Sequence, residues 1–202
     1  MAQYQHARLR AVLLTLVHAL GKKACKTKIV NLVYLTDEAN YRLRGETITG
    51  LEYIHECGSP KALGNGIVRM LDHLVKDGEI AEEISVQPGG SGVHRYGTSN
   101  NLDVSTLPLT GDDWIEIQTA VHKYGRMSAK DIVRESRNSI PVQNAREYET
   151  LQLCQDQNLR ITDEDIANDP LLQTAVQARA ADTGERITLD DLRGHVGEPT
   201  QI

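Results

Sequence analysis

The sequence contains no phenylalanine and one tryptophan, so its aromatic content rests on seven tyrosines. Its core must be assembled from Leu, Ile, Val and Ala, which suits helices better than a β-sandwich. Cysteine is equally scarce. Cys25, Cys57 and Cys154 are odd in number and widely spaced, which argues against a disulfide framework and fits a reducing compartment. No apolar run approaches the roughly 20 residues that span a bilayer, and the charged residues up to Arg10 lack the apolar stretch of a secretory signal. The expectation is a cytoplasmic protein with no membrane partner.

Acidic residues are missing from the first 36 positions, which hold Arg8, Arg10, Lys22, Lys23, Lys26 and Lys28. Residues 154–202 reverse this, with ten acids against four bases, and carry the whole net charge of −6. Either end could recruit an oppositely charged partner, or the two ends could pair with each other or simply be solvated. The shift in texture suggests two parts: a domain over 1–153 and an acidic helical extension over 154–202.

What is present is mostly helical periodicity. Leu9, Val12, Leu13, Leu16, Val17 and Leu20 fall on one helical face, and Gly21 follows as a stop. A second helix is expected over 26–43, with Ile29, Leu32, Val33, Ala39 and Leu43 as its buried stripe. Residues 47–56 are β-branched and read as extended, and Gly58-Ser59-Pro60 as a turn. A third helix is expected over 61–77 on Ile67, Met70, Leu71 and Leu74. A glycine-turn hairpin over 80–98 should follow, and a helix with such a hairpin resembles a winged-helix unit. Thr110 with Asp113 and Ser128 with Asp131 are capping patterns for two more helices. Another helix is expected over 141–154, with Pro141 in its first turn. The fold class is therefore α+β: a mostly helical domain with a small antiparallel sheet from 47–56 and 80–98, winged-helix-like, and a helical C-terminal extension.

No residue pattern here specifies a reaction. His55 and Cys57 lack the second pair that a structural metal needs. The glycines at 89, 90 and 92 lack the Lys-Ser/Thr that completes a phosphate loop, and Gly64-Asn65-Gly66 lacks the third glycine of a dinucleotide fingerprint. Adjacent carboxylates such as Glu82-Glu83 face opposite ways in a strand. No catalytic residue, metal or cofactor is expected.

Residues 26–60 read Val33-Tyr34-Leu35-Thr36-Asp37, then Gly45, then Ile48-Thr49-Gly50-Leu51-Glu52-Tyr53, then Gly58-Ser59-Pro60. This order resembles the Panacea family of SocA-like antitoxin domains, which share a helix ending in a Leu-Tyr-Leu-acidic pattern, an Ile-Thr-Gly-x-x-Tyr strand and a Gly-Pro turn. By eye the likeness extends over residues 5–140. Two positions depart from the pattern: Ser59 is inserted before Pro60, and Ser136-Arg137 stands where the family has Ser-His. The resemblance implies a non-enzymatic, cytoplasmic antitoxin, also found in prophages, that neutralises a cognate protein toxin by direct binding or as an adaptor to a protease.

Tyrosine and arginine are common interface anchors, so Tyr34, Asp37, Tyr41, Arg42, Thr49, Tyr53 and Glu56 are the candidate contact patch. The opposing reading places the tyrosines in the core with their hydroxyls bonded internally. A winged-helix DNA-binding regulator is the competing class. Against it, Lys61, Arg69 and Lys76 face Asp72 and Asp77 on the expected reading helix. Self-association is compatible with either reading.

Overall fold

A computed structural model of the chain describes residues 2–86, 92–98 and 102–155 (side chains from residue 6). The helical C-terminal extension expected from residue 154 lies almost wholly outside the described residues, as does the glycine turn of the second hairpin. The described elements are α1 (Ala2–Leu20), α2 (Lys26–Arg44), β1 (Tyr53–Glu56), β2 (Ser59–Ala62), α3 (Gly66–Lys76), β3 (Ile80–Val86), β4 (Gly92–Thr98), α4 (Gly111–Tyr124), α5 (Ala129–Arg137) and α6 (Ile140–Asn144). The class is α+β and mostly helical, with two small antiparallel hairpins.

α1 buries the whole expected face, and Ala11, Leu14 and Thr15 besides. The Thr15 hydroxyl donates back to Ala11 O at 2.8 Å, so its burial leaves no polar group unpaired. α2 is the central helix and touches α1, α4, α5, β2 and β4. Its buried set is therefore wider than a stripe. Ile29, Leu32 and Val33 are buried as expected, with Lys28, Asn31, Tyr34, Thr36, Asp37 and Asn40 added. Leu43, expected inside, is exposed, and Ala39 is only half-buried. A helix packed on several sides buries polar residues too, provided that each finds a partner.

Two sequence expectations are corrected in the hairpins. Residues 47–56 do not join 80–98 in one sheet; β1 pairs with β2, and β3 pairs with β4, in two separate sheets. Cys57 (φ 52°) and Gly58 (φ 68°) are both left-handed, the backbone of a two-residue hairpin turn. The turn thus falls one residue early, Ser59 and Pro60 enter β2 instead of the turn, and the third helix, expected from residue 61, starts at Gly66. Pro60 opposes His55 on an outer strand, where its missing N–H costs no ladder bond. The far side of β1 is taken by residues 148–151: Tyr148 N donates to His55 O at 2.7 Å and Leu151 N to Tyr53 O at 2.7 Å. The helix expected over 141–154 accordingly shrinks to the five residues of α6.

The second hairpin gains an edge from the link between α1 and α2. Cys25 bridges Arg95, and Tyr96 N donates to Ala24 O at 2.8 Å. Helix, short strand, helix, helix and hairpin thus follow in winged-helix order, with the β1–β2 hairpin inserted before the third helix. The two capping patterns form as expected. Thr110 and Asp113 make a reciprocal capping box on α4, and Ser128 accepts from Asp131 N on α5. Among the described residues no helix is long and apolar enough to cross a membrane.

Candidate functional site

Gly45 ends α2 in the left-handed conformation, its N–H donating to Tyr41 O at 2.7 Å. The chain then turns back on the helix it has left. Asn40 Nδ2 holds Glu46 O at 2.7 Å, and Asp37 takes the next anchor. Its Oδ1 accepts from Thr49 N at 3.0 Å, and its Oδ2 from the Tyr53 hydroxyl at 2.6 Å and from the Thr49 hydroxyl. Thr49 Oγ1 in turn accepts from Leu51 N at 3.2 Å. One carboxylate thereby fixes the loop and the start of β1 against the last turns of α2.

Asp37 is fully buried. Burial pushes its carboxyl up to about 6, against the hydrogen bonds from Thr49 and Tyr53 that favour the ionised form. The Tyr53 hydroxyl is raised well above its ordinary value by the same burial and by the neighbouring carboxylate. Its ring meets Tyr34 edge-on, 5.1 Å between centroids at 75°. From Tyr34 a polar line continues to α5. Ser139 Oγ lies 2.7 Å from the Tyr34 hydroxyl and gives its own proton to Ser136 O at 2.9 Å, so Tyr34 is the donor. Ser136 Oγ reaches Asn31 Oδ1 at 2.6 Å, returning the line to α2.

The seven candidate residues divide accordingly. Tyr34, Asp37, Thr49 and Tyr53 are buried and bonded internally, so they do not offer themselves as direct partner contacts; solvent does not reach them. Tyr41 is half-buried and Arg42 exposed. Glu56 is half-buried, with its carboxylate held by Lys61 Nζ at 2.5 Å. Lys61 therefore sits on β2 in a cross-hairpin pair and not on the third helix, which leaves α3 still poorer in basic charge. The two departures from the family pattern meet one another: Arg137 Nε donates to Ser59 Oγ at 2.8 Å.

The open feature beside the Asp37 anchor is a cleft of about 380 Å³ between the Thr49–Gly50–Leu51 loop and α3. Leu9, Leu51 and Met70 give it an apolar lining, and His6, Arg69 and His73 supply polar and cationic groups. Leu63 lies at its edge, 52% exposed. From the sequence, Leu9 and Met70 are core positions and Arg69 belongs to the third helix, and nothing in it joins them into a cleft; the local signal is Gly64-Asn65-Gly66. Gly64 (φ 64°) and Asn65 (φ 56°) form a left-handed turn that presents Leu63. A Cβ at Gly66 would stand 3.1 Å from Leu51 Cδ2, so glycine lets the loop wall approach the helix.

Among the described residues no group of three or more His, Cys, Asp or Glu is placed to hold a metal ion. Compared with family models, with curated proteins and with solved structures, the chain matches none.

Proposed function

We propose that this chain is an antitoxin-type binding protein that neutralises a cognate protein toxin by covering part of its surface, with the cleft at Leu63 and Arg69 as the anchor point. The observation that carries the reading is the composition of that cleft. Arg69 is a residue type that recurs at binding hot spots, and the exposed Leu63 beside an apolar floor gives it the apolar surface that an interface core buries. His6, Arg69 and His73 suit an apolar side chain of the toxin flanked by a carboxylate.

Three further points support it. Asp37, Thr49 and Tyr53, which carry the resemblance to SocA-like antitoxins, are the residues that hold the cleft's loop wall in place. Ser59 and Arg137, where the chain departs from that pattern, are hydrogen-bonded to each other, so the departures are compensated within this fold. Asp37, the one strongly shifted carboxylate among the described residues, is sealed from substrate, so it serves the scaffold and not acid–base chemistry.

A complete interface buries about 1,200–2,000 Å² in total, so the cleft is its centre and not its extent. An adaptor that hands the toxin to a protease uses the same binding step and differs in shortening the toxin's lifetime. The test is co-expression with the product of the adjacent gene. The wild-type chain is expected to restore growth, and Leu63→Asp and Arg69→Glu, both at exposed positions, are expected to lose rescue while remaining folded. Full rescue by both variants would remove the cleft from the interface.

A further inference from the structure

The charge asymmetry of the first 36 residues becomes local on the opposite flank of the second hairpin. A groove of about 670 Å³ runs between the Gly21–Lys23 turn, the first turn of α2 and β4. It is lined by Lys22, Lys23, Lys26, Lys28 and Arg95, and no carboxylate lines it. Lys22 and Lys23 have no carboxylate within ion-pair distance among the described residues. Glu82, the nearby acid, is engaged by the His94 ring at 2.7 Å. Lys28 is buried, its ammonium donates to Gly125 O at 3.0 Å, and burial holds its pKa below the ordinary lysine value.

The helix adds to this field. α2 is 19 residues long, its N-cap Cys25 makes no side-chain capping bond, and its first turn holds no acid. Its leading N–H groups and the positive end of its dipole therefore open toward the lysines without an internal counter-charge. Four of the cations come from the Lys22–Lys28 stretch and the fifth, Arg95, from β4, which the Cys25 bridge and the Tyr96 N–H to Ala24 O bond hold beside it.

We infer that this groove binds the sugar–phosphate backbone of nucleic acid, without reading its sequence. Lysine ammonium groups and helix N–H groups are the donors that recur on phosphate oxygens. No Phe, Tyr or Trp lines the groove, and its His94 ring is engaged by Glu82, so the groove offers no stacking platform for successive bases. The net charge of −6 is carried by residues 154–202, so the domain that holds the groove is itself charge-balanced. The site lies apart from the cleft of the proposed toxin interface and shares no lining residue with it. Either reading can fail without the other.

The experiment is fluorescence anisotropy of the full-length chain with a labelled 20-base-pair duplex and with a 20-nucleotide single strand, followed over about 50–200 mM salt. Polyglutamate serves as the competing anion. The wild-type chain is expected to bind, with affinity falling steeply as salt rises. The combined variant Lys22→Gln, Lys23→Gln, Lys26→Gln changes exposed or half-buried side chains and keeps the fold. It should weaken binding at least 10-fold at the lowest salt and reduce the slope of log K against log salt by about 2–3. Lys76→Gln on α3 should change neither. No binding at 50 mM salt would overturn the proposal, as would a triple variant with an unchanged slope or a loss confined to Lys76→Gln. Polyglutamate that binds while both nucleic acids fail would transfer the groove to an acidic protein partner and likewise overturn it.

Discussion

At the scale of single residues, Asp37 carries the most consequence. Three donors converge on it, yet burial still raises its carboxyl to about 6 from 3.8. A folded-state value above the unfolded one means that the linked stability is fully present below about pH 3.8 and is lost as pH rises to about 6. The shift corresponds to roughly 3 kcal/mol. Glu82 and Asp131 are held below their ordinary values and act in the opposite sense, but both are largely solvated and weigh little. Asp37→Asn isolates the group, since asparagine keeps the shape and an accepting oxygen. The melting temperature of Asp37→Asn relative to wild type should rise between pH 4 and pH 7; a flat difference would show that burial does not raise the Asp37 carboxyl above its unfolded value. Tyr34, Tyr53 and Thr49 were legible from sequence as residues that matter. Whether the tyrosines meet a partner or the core stayed open as two readings, because the packing that buries Tyr34 and Tyr53 comes from elements distant in sequence, such as Ser139 at the start of α6.

At the scale of elements, local signals carried furthest. The capping patterns, the α3 stripe and the β3–β4 hairpin all form where residue chemistry places them, since each depends on neighbours within a few positions. Thr110→Ala should cost about 1 kcal/mol by opening the N-terminus of α4, measurable by chemical denaturation; no loss would mean that Asp113 caps the helix alone. Gly125 is a sterner case. A Cβ there would stand 2.4 Å from Val121 O, and the same residue's carbonyl receives Lys28. Gly125→Ala should therefore unfold the α4–α5 corner or abolish soluble expression, and a well-folded alanine variant would contradict the close approach. Elements that depend on distant partners were not legible. Residues 148–151 pair with the free edge of β1 about 95 positions earlier, through the Thr150–Ile54 bridge, which no helical window in the sequence could register. The β1–β2 hairpin was missed for a smaller reason: Cys57 takes a left-handed conformation that is uncommon for a residue with a side chain.

At the scale of the whole molecule, α1 and α2 form the central pair and the remaining elements are pinned to them by long-range polar contacts. Arg8 Nη2 reaches Asp113 at 2.7 Å across 105 residues, and Arg10 grips Glu79 at the start of β3. Asp113 is buried and also serves the capping box. Arg8→Ala would leave it without its partner, at a cost of about 2 kcal/mol or more. A melting temperature lower by several degrees is expected, and an unchanged one would show that α4 is held without that pair. The frame leaves two unlike surfaces, an apolar cleft with a cationic rim beside the Asp37 anchor and a basic groove along β4. The central claim is that the first of these grips a protein. Its most direct test is calorimetric titration of the purified chain with the purified product of the adjacent gene, using wild type and Leu63→Asp with equal melting temperatures. The account predicts submicromolar binding by the wild type and at least 100-fold weaker binding by the variant. Equal affinities, or no heat of association from the wild type, would contradict it.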